Sequence, residues 1–156
     1  MNKLWLISLL VSLVQIDKSP VPTEHYRLRW IDTGEVTVDV SSIKGTAGKV
    51  VVCVFKTLEG FPNEVERATQ IQSSAISGNS VKVTFRNLEP GDYYISAFHD
   101  TNNNGKPDRN FVGIPKEGVG ASNNVVKNAR LKPDFGRAKI HIHPGSQQIS
   151  FDLRYF

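Results

Sequence analysis

From Val81 to Ala97 apolar and polar residues alternate with a period of two, and the pattern is interrupted once, by Glu89-Pro90-Gly91-Asp92. Val81, Val83 and Phe85 fall on one side and Lys82, Thr84 and Arg86 on the other. After the interruption Tyr93, Ile95 and Ala97 take the inward side, opposite Tyr94, Ser96 and Phe98. Successive side chains of an extended chain point to opposite faces, so this pattern buries one coherent face as a strand and none as a helix. The interruption reads as a turn, because proline presets φ and glycine supplies a positive φ.

The same period recurs. Val36, Val38 and Val40 alternate with Glu35, Thr37, Asp39 and Ser41, and Ala138, Ile140 and Ile142 alternate with Arg137, Lys139, His141 and His143. Val50 to Phe55 is apolar at nearly every position, which predicts a strand covered on both faces. Glycines mark Lys44 to Lys49 as a turn. Pro144-Gly145-Ser146-Gln147 turns the chain into a final strand whose inward residues are Ile149, Phe151, Leu153 and Tyr155, so the last two strands read as a hairpin-like pair. Thr57 to Gly78 is ambiguous: Gly60, Pro62 and Asn63 break any strand, and Glu66 to Ile76 suits a short helix or an irregular strand. These signals predict an all-β, antiparallel Greek-key β-sandwich of about seven strands over residues 35–156, with Val38, Val52, Phe85, Tyr93, Ile95, Ile140 and Phe151 in its core.

The N-terminus is of another kind. Lys3 precedes an 11-residue apolar run, Leu4 to Val14. Roughly 20 apolar residues are needed to span a bilayer, so residues 1–16 read as a signal peptide and the product as secreted or periplasmic, not membrane-spanning once processed. An uncleaved anchor or a buried N-terminal segment is the alternative. Residues 17–34 are then a linker or an extra strand. The single cysteine, Cys53, forms no intrachain disulfide, and its place in an apolar run makes it a small core residue. A net charge of +4 with no basic run gives no footprint for nucleic acid.

The candidate site lies in the long polar segment from His99 to Asn124. Asp100, Asn102 and Asn104 stand at positions one, three and five of a cation loop, with Gly105 at six, the Lys106 carbonyl at seven and Asp108 at nine. Alternate spacing lets side-chain oxygens converge on one hard cation, and glycine permits the sharp turn. Position twelve, where a bidentate Glu would complete an EF-hand, is Phe111, so the loop needs help from outside, with Glu117, Asn123 or water as candidates. Two formal carboxylates predict weak binding of Ca2+, with Kd about 10⁻⁴ to 10⁻³ M as in extracellular modules. A metal-free turn held by Asx side chains is the plain alternative.

Other constellations are weaker. His141 and His143 share a strand face at ligand spacing, but His99 falls on the opposite, inward face. A hydrolase would use His99 as base and Asp100 as its orienter. A carbohydrate-binding module would need exposed planar aromatics, for which Tyr94 and Phe98 are the candidates. The glycine-rich Gly113 to Gly120 has no following helix to bind phosphate.

Two resemblances follow from particular stretches. Val81 to Phe98, VKVTFRNLEPGDYYISAF, is similar to the F-x-L-x-P-G-x-Y-x-I signature of prealbumin-like sandwiches, the carboxypeptidase regulatory-like modules among them. That likeness implies a prealbumin/immunoglobulin-like fold and no activity. The prealbumin superfamily includes hydroxyisourate hydrolases with a Tyr-Arg-Gly-Ser tail, whereas this chain ends FDLRYF. Over roughly Val36 to Tyr155 the chain also resembles an uncharacterised bacterial family, domain of unknown function 2141. The segments that carry this are GKVVVCVFKTLEGF, FRNLEPGDYYISAFHDTNNNGKPDRNFVGIPKEGVGASNN and KPDFGRAKI. The resemblance implies the fold and export, and no reaction. The expectation is an exported non-enzymatic module with a calcium loop and an unknown partner, for which a cell-surface or carbohydrate ligand is a candidate.

Overall fold

The computed structural model describes residues 33–128 and 134–156. The expected signal peptide, residues 1–16, and all of the expected linker or extra strand, residues 17–34, except Thr33 and Gly34 lie outside the described residues. The strands are β1 (Gly34–Ser41), β2 (Lys49–Phe55), β3 (Gln70–Ala75), β4 (Val81–Leu88), β5 (Gly91–Asp100), β6 (Val119–Ala121), β7 (Lys139–Ile142) and β8 (Gly145–Asp152). They form two sheets. One runs β4-β1-β8; the other runs β3-β2-β5-β6, with β7 also paired to β5. The protein is an all-β sandwich, with eight strands among the described residues where about seven were expected. The ambiguous stretch resolves into a single 3₁₀ turn, Val65–Arg67, followed by β3.

Between the sheets lies the core that period two predicts. Val36, Val38 and Val40 from one sheet meet Val50, Val52, Val54, Tyr93 and Ile95 from the other, with Phe85, Phe151 and Leu153 filling the layer and Ile140 packed against it. Such side chains contribute about 1.5–3 kcal/mol each when fully withdrawn from water. The open flank between the sheets is stitched by side chains. Gln72 Nε2 donates to the Thr84 carbonyl at 2.7 Å and Gln70 Nε2 to the Arg86 carbonyl at 3.1 Å, so β3 and β4 use each other's spare groups.

Two expectations are corrected. The turn at His143-Pro144 does not close the expected hairpin, since β7 and β8 lie in different sheets; the Glu89-Pro90 turn likewise joins β4 of one sheet to β5 of the other. The inward residues on either side of each turn instead face one another across the core, so these turns are corners of the sandwich. The pairing is also not antiparallel throughout. β8 runs parallel to β1, from Gly34 opposite Gly145 to Ser41 opposite Asp152.

The outer face of the second sheet is covered as well. Val51, Cys53, Phe55 and Phe98 pack with Phe61, Ala121 and Ala138 in a second apolar cluster. Phe61 meets Phe55 edge-on at 5.5 Å between centroids and Phe135 at 5.4 Å, the geometry favoured by aromatic quadrupoles. Burial pushes the Cys53 thiol up to about 12, so it keeps its proton. Phe98 is buried and Tyr94 leans on Phe61 at 5.6 Å, so the pair forms no exposed platform for a sugar. The alternation assigned their face correctly, but the irregular segment carrying Phe61 covers it.

Candidate functional site

The loop begins where β5 runs off the sheet. Register places Asp100 opposite Lys49 and His99 opposite Val50. The crossing is tight beside it: Gly48 has φ +74, and a Cβ there would run into the Asp100 carbonyl oxygen. Only glycine meets both demands without strain.

Asp100 has no exposed surface. Its Oδ1 accepts the Asn104 N–H and its Oδ2 the Gly105 N–H, both at 2.9 Å, and Lys49 Nζ lies 3.8 Å from Oδ2. A buried carboxylate is costly unless paired and hydrogen-bonded, and this one is both. Asn103 at φ 60 and Gly105 at φ 76 let the chain curl so that these amides point inward. Asn102 Oδ1 accepts the same Asn104 N–H at 3.1 Å, and Asn104 Oδ1 accepts the Lys106 N–H at 2.8 Å. The two amide groups then converge on Asp108: Asn102 Nδ2 donates to Oδ2 at 2.8 Å and Asn104 Nδ2 to Oδ1 at 3.1 Å.

Glu117 closes the loop from outside. It is 4% exposed, and Oε1 accepts both the N–H and the hydroxyl of Thr101, at 2.8 and 2.9 Å, while Oε2 accepts the Asp108 N–H at 3.1 Å. The Lys116 N–H adds a bond to the Asp108 carbonyl at 2.9 Å. One carboxylate thus ties together the two ends of the Thr101-to-Asp108 arc. It spends its oxygens on the loop's own donors, which makes it a clamp for the loop.

Four of the predicted ligands, Asp100, Asn102, Asn104 and Asp108, are brought together in one network, with the Lys106 main chain bonded into it. Asn123 is not: its amide donates to the carbonyls of Arg137 and Lys139, at 2.9 and 3.0 Å, beside β7. Among the described residues no group of three or more His, Cys, Asp or Glu side chains is placed to hold a metal ion. The predicted set contains two acidic side chains, with amide and carbonyl oxygens as the rest.

His99 and Asp100 do not form a dyad. Adjacent in a strand, they point to opposite faces. His99 is 1% exposed, with Nδ1 2.9 Å from the Tyr155 hydroxyl and Nε2 2.7 Å from the Ala47 carbonyl. A carbonyl only accepts, so Nε2 carries a proton; in the neutral ring Nδ1 accepts from Tyr155, whose oxygen in turn accepts the Lys44 N–H at 3.0 Å. Burial pushes the Tyr155 phenol above its ordinary value, opposed in part by that N–H, so the hydroxyl retains its proton. His99 therefore pins the 44–47 turn to Tyr155 near the C-terminus. Lys49 and Tyr155 carry no local signal for these roles; the β2–β5 register reveals that of Lys49, and the return of the chain end to His99 and the 44–47 turn reveals that of Tyr155.

His141 and His143 lie with ring centroids 4.6 Å apart, but the partner of His141 Nδ1 is Asp92 Oδ1 at 2.8 Å. Hydrogen bonds from His141 and Lys139 hold the Asp92 carboxyl below the usual carboxylate range. That group is an exposed ion pair on the sheet. Among the described residues no helix is long and apolar enough to cross a membrane.

Comparison with known proteins finds one family. No curated protein and no solved structure matches the chain. Residues 38–150 match the family described as "Uncharacterized protein conserved in bacteria (DUF2141)". That span takes in β2 to β7, half of β1, most of β8 and the whole Asp100-to-Glu117 loop, so the chain belongs to the DUF2141 family.

Proposed function

We propose that this protein is an exported, non-enzymatic β-sandwich module whose Asp100–Asp108 loop takes up calcium, serving as a binding or structural module at the bacterial surface or in the periplasm. The observation that carries the reading is the convergence in the loop. Asp100 Oδ1 and Asn102 Oδ1 share one N–H, and the amides of Asn102 and Asn104 both grip the Asp108 carboxylate. Swinging those two amides off Asp108 would free its carboxylate to join the Asp100, Asn102 and Asn104 oxygens and the Lys106 carbonyl, and a hard divalent cation prefers such a set of carboxylate, amide and carbonyl oxygens. Lys49 beside Asp100 opposes a cation and keeps the affinity low.

Export rests on Lys3 and the apolar run after it. The non-enzymatic reading rests on His99, whose two ring nitrogens are taken by Tyr155 and Ala47 while Asp100 is spent on the loop amides.

Isothermal titration of the full chain with calcium chloride tests the reading. The expected Kd is about 10⁻⁴ to 10⁻³ M. Asp108→Asn should weaken it strongly, whereas Asn103→Gly, which keeps the positive φ and removes an exposed side chain, should not. Absence of binding heat, or equal affinity in Asp108→Asn, overturns it.

A further inference from the structure

Beyond the Asp108 arc the loop runs out to a built tip. The Arg109–Pro115 bridge closes its stem, and the Asn110 N–H donates to the Ile114 carbonyl at 2.9 Å. Asn110 Oδ1 accepts the N–H groups of Val112 and Ile114, at 3.0 and 2.9 Å. Arg109 reaches the Gly113 carbonyl at 2.7 Å and Asn63 Oδ1 at 2.6 Å. On this fixed turn Phe111 is 100% exposed and Val112 61% exposed. Holding a phenylalanine wholly in water on an ordered turn gains the fold nothing.

The charges beside it are one-sided. Lys106, Arg109 and Lys116 are exposed, whereas Asp100 and Glu117 are buried on the loop's own donors and the half-buried Asp108 is gripped by two amides, so the charge the loop shows to solvent is positive. We infer that the Phe111–Val112 tip docks into the surface of an anionic lipid bilayer, with the apolar pair entering the headgroup boundary and Lys106, Arg109 and Lys116 meeting lipid phosphates. Size separates this occupant from a protein. A stable protein interface needs about 800 Å² per partner with a packed centre, whereas two protruding side chains on a polar loop suit shallow insertion. The inference does not rest on the calcium reading and holds with or without the ion.

The test uses the full chain with Val112→Cys carrying an environment-sensitive fluorophore. Cys53 is buried with its thiol pushed up to about 12, so labelling is selective for position 112. Mixed phosphatidylcholine/phosphatidylglycerol vesicles should shift this emission to the blue, and phosphatidylcholine vesicles alone should do so far less. A label at Asn79→Cys, exposed in the β3–β4 turn, should report no shift. Phe111→Ala should lower vesicle affinity about tenfold or more, from the apolar area lost. Lys106→Gln and Lys116→Gln should each lower it about fivefold, with a matching loss in high salt. The melting temperature of Phe111→Ala should equal that of the wild type, since the ring packs on nothing. No shift at position 112, equal shifts at 79 and 112, or vesicle affinity indifferent to Phe111 overturns the inference; the last is what binding through the N-terminal apolar run alone would give.

Discussion

Replacing Glu117 by Gln changes no volume and removes one charge, which makes it the cleanest perturbation of the loop. The carboxylate accepts three hydrogen bonds, two from Thr101 on Oε1 and one from the Asp108 N–H on Oε2. An amide supplies only one acceptor atom. If the oxygen stays on Thr101, the amide NH₂ faces the Asp108 N–H, two donors nose to nose; the flipped amide loses both Thr101 bonds instead. A hydrogen bond to a charged group contributes about 1.5–3 kcal/mol, and a stranded buried donor costs a similar amount. Asp108 is only half-buried, so water can relieve part of the loss, and the lower end, about 1.5 kcal/mol, is expected. Urea denaturation in chelator reads this as a fall of roughly 1 M in midpoint at m near 1.5 kcal/mol/M. Should the loop open alone, the global midpoint holds while hydrogen exchange at the Thr101 and Asp108 amides accelerates about tenfold, as a local opening free energy lowered by 1.4 kcal/mol requires. A variant matching the wild type in both midpoint and exchange would refute the clamp.

Phe85→Ala, emptying a fully buried site between the sheets, should cost about 3–5 kcal/mol in the same denaturation assay. Asp152 accepts from the Ser41 and Ser42 hydroxyls, at 2.8 and 2.9 Å, and these bonds hold its carboxyl below the ordinary range. A carboxyl depressed on folding contributes stability that is present above its unfolded pKa and lost as pH falls through the folded one, so below about pH 4 the wild type should lose stability more steeply than Asp152→Asn. Parallel acid-unfolding curves for the two proteins would contradict this.

How much was legible depended on whether the signal was local. Strands β1, β4 and β5 were readable because a half-buried strand writes its burial into every second residue, and β2 because a doubly covered strand is apolar throughout. Which sheet each strand joins was not readable. Glu89-Pro90-Gly91 and Pro144-Gly145 specify a reversal of the chain and say nothing of the partner, so the corner at Pro144-Gly145 reads locally as a hairpin. The parallel β1–β8 pairing joins residues 111 apart, such as Gly34 and Gly145, and leaves no local trace. The covering of Phe98 depends on Phe61, in a segment with no period at all. In the site, the convergence of Asp100, Asn102, Asn104 and Asp108 was visible because it is a turn of contiguous residues. The role of Glu117 was not, since its neighbours Thr101 and Asp108 are set by how the strap folds back. Phe111 was readable as a missing twelfth ligand, and its full exposure emerged only with the turn that Asn110 builds.

The measurement that bears most directly on the cation loop is the melting temperature of the full chain in millimolar calcium and in chelator, for wild type and Asp108→Asn. An ion that binds only the folded state adds RT ln(1 + [Ca]/Kd), about 1.4 kcal/mol at ten times Kd, enough to raise the wild-type midpoint by a few degrees. The account predicts that rise in the wild type and its loss in Asp108→Asn. Equal midpoints for the wild type in the two buffers, or a rise that survives the substitution, would contradict it.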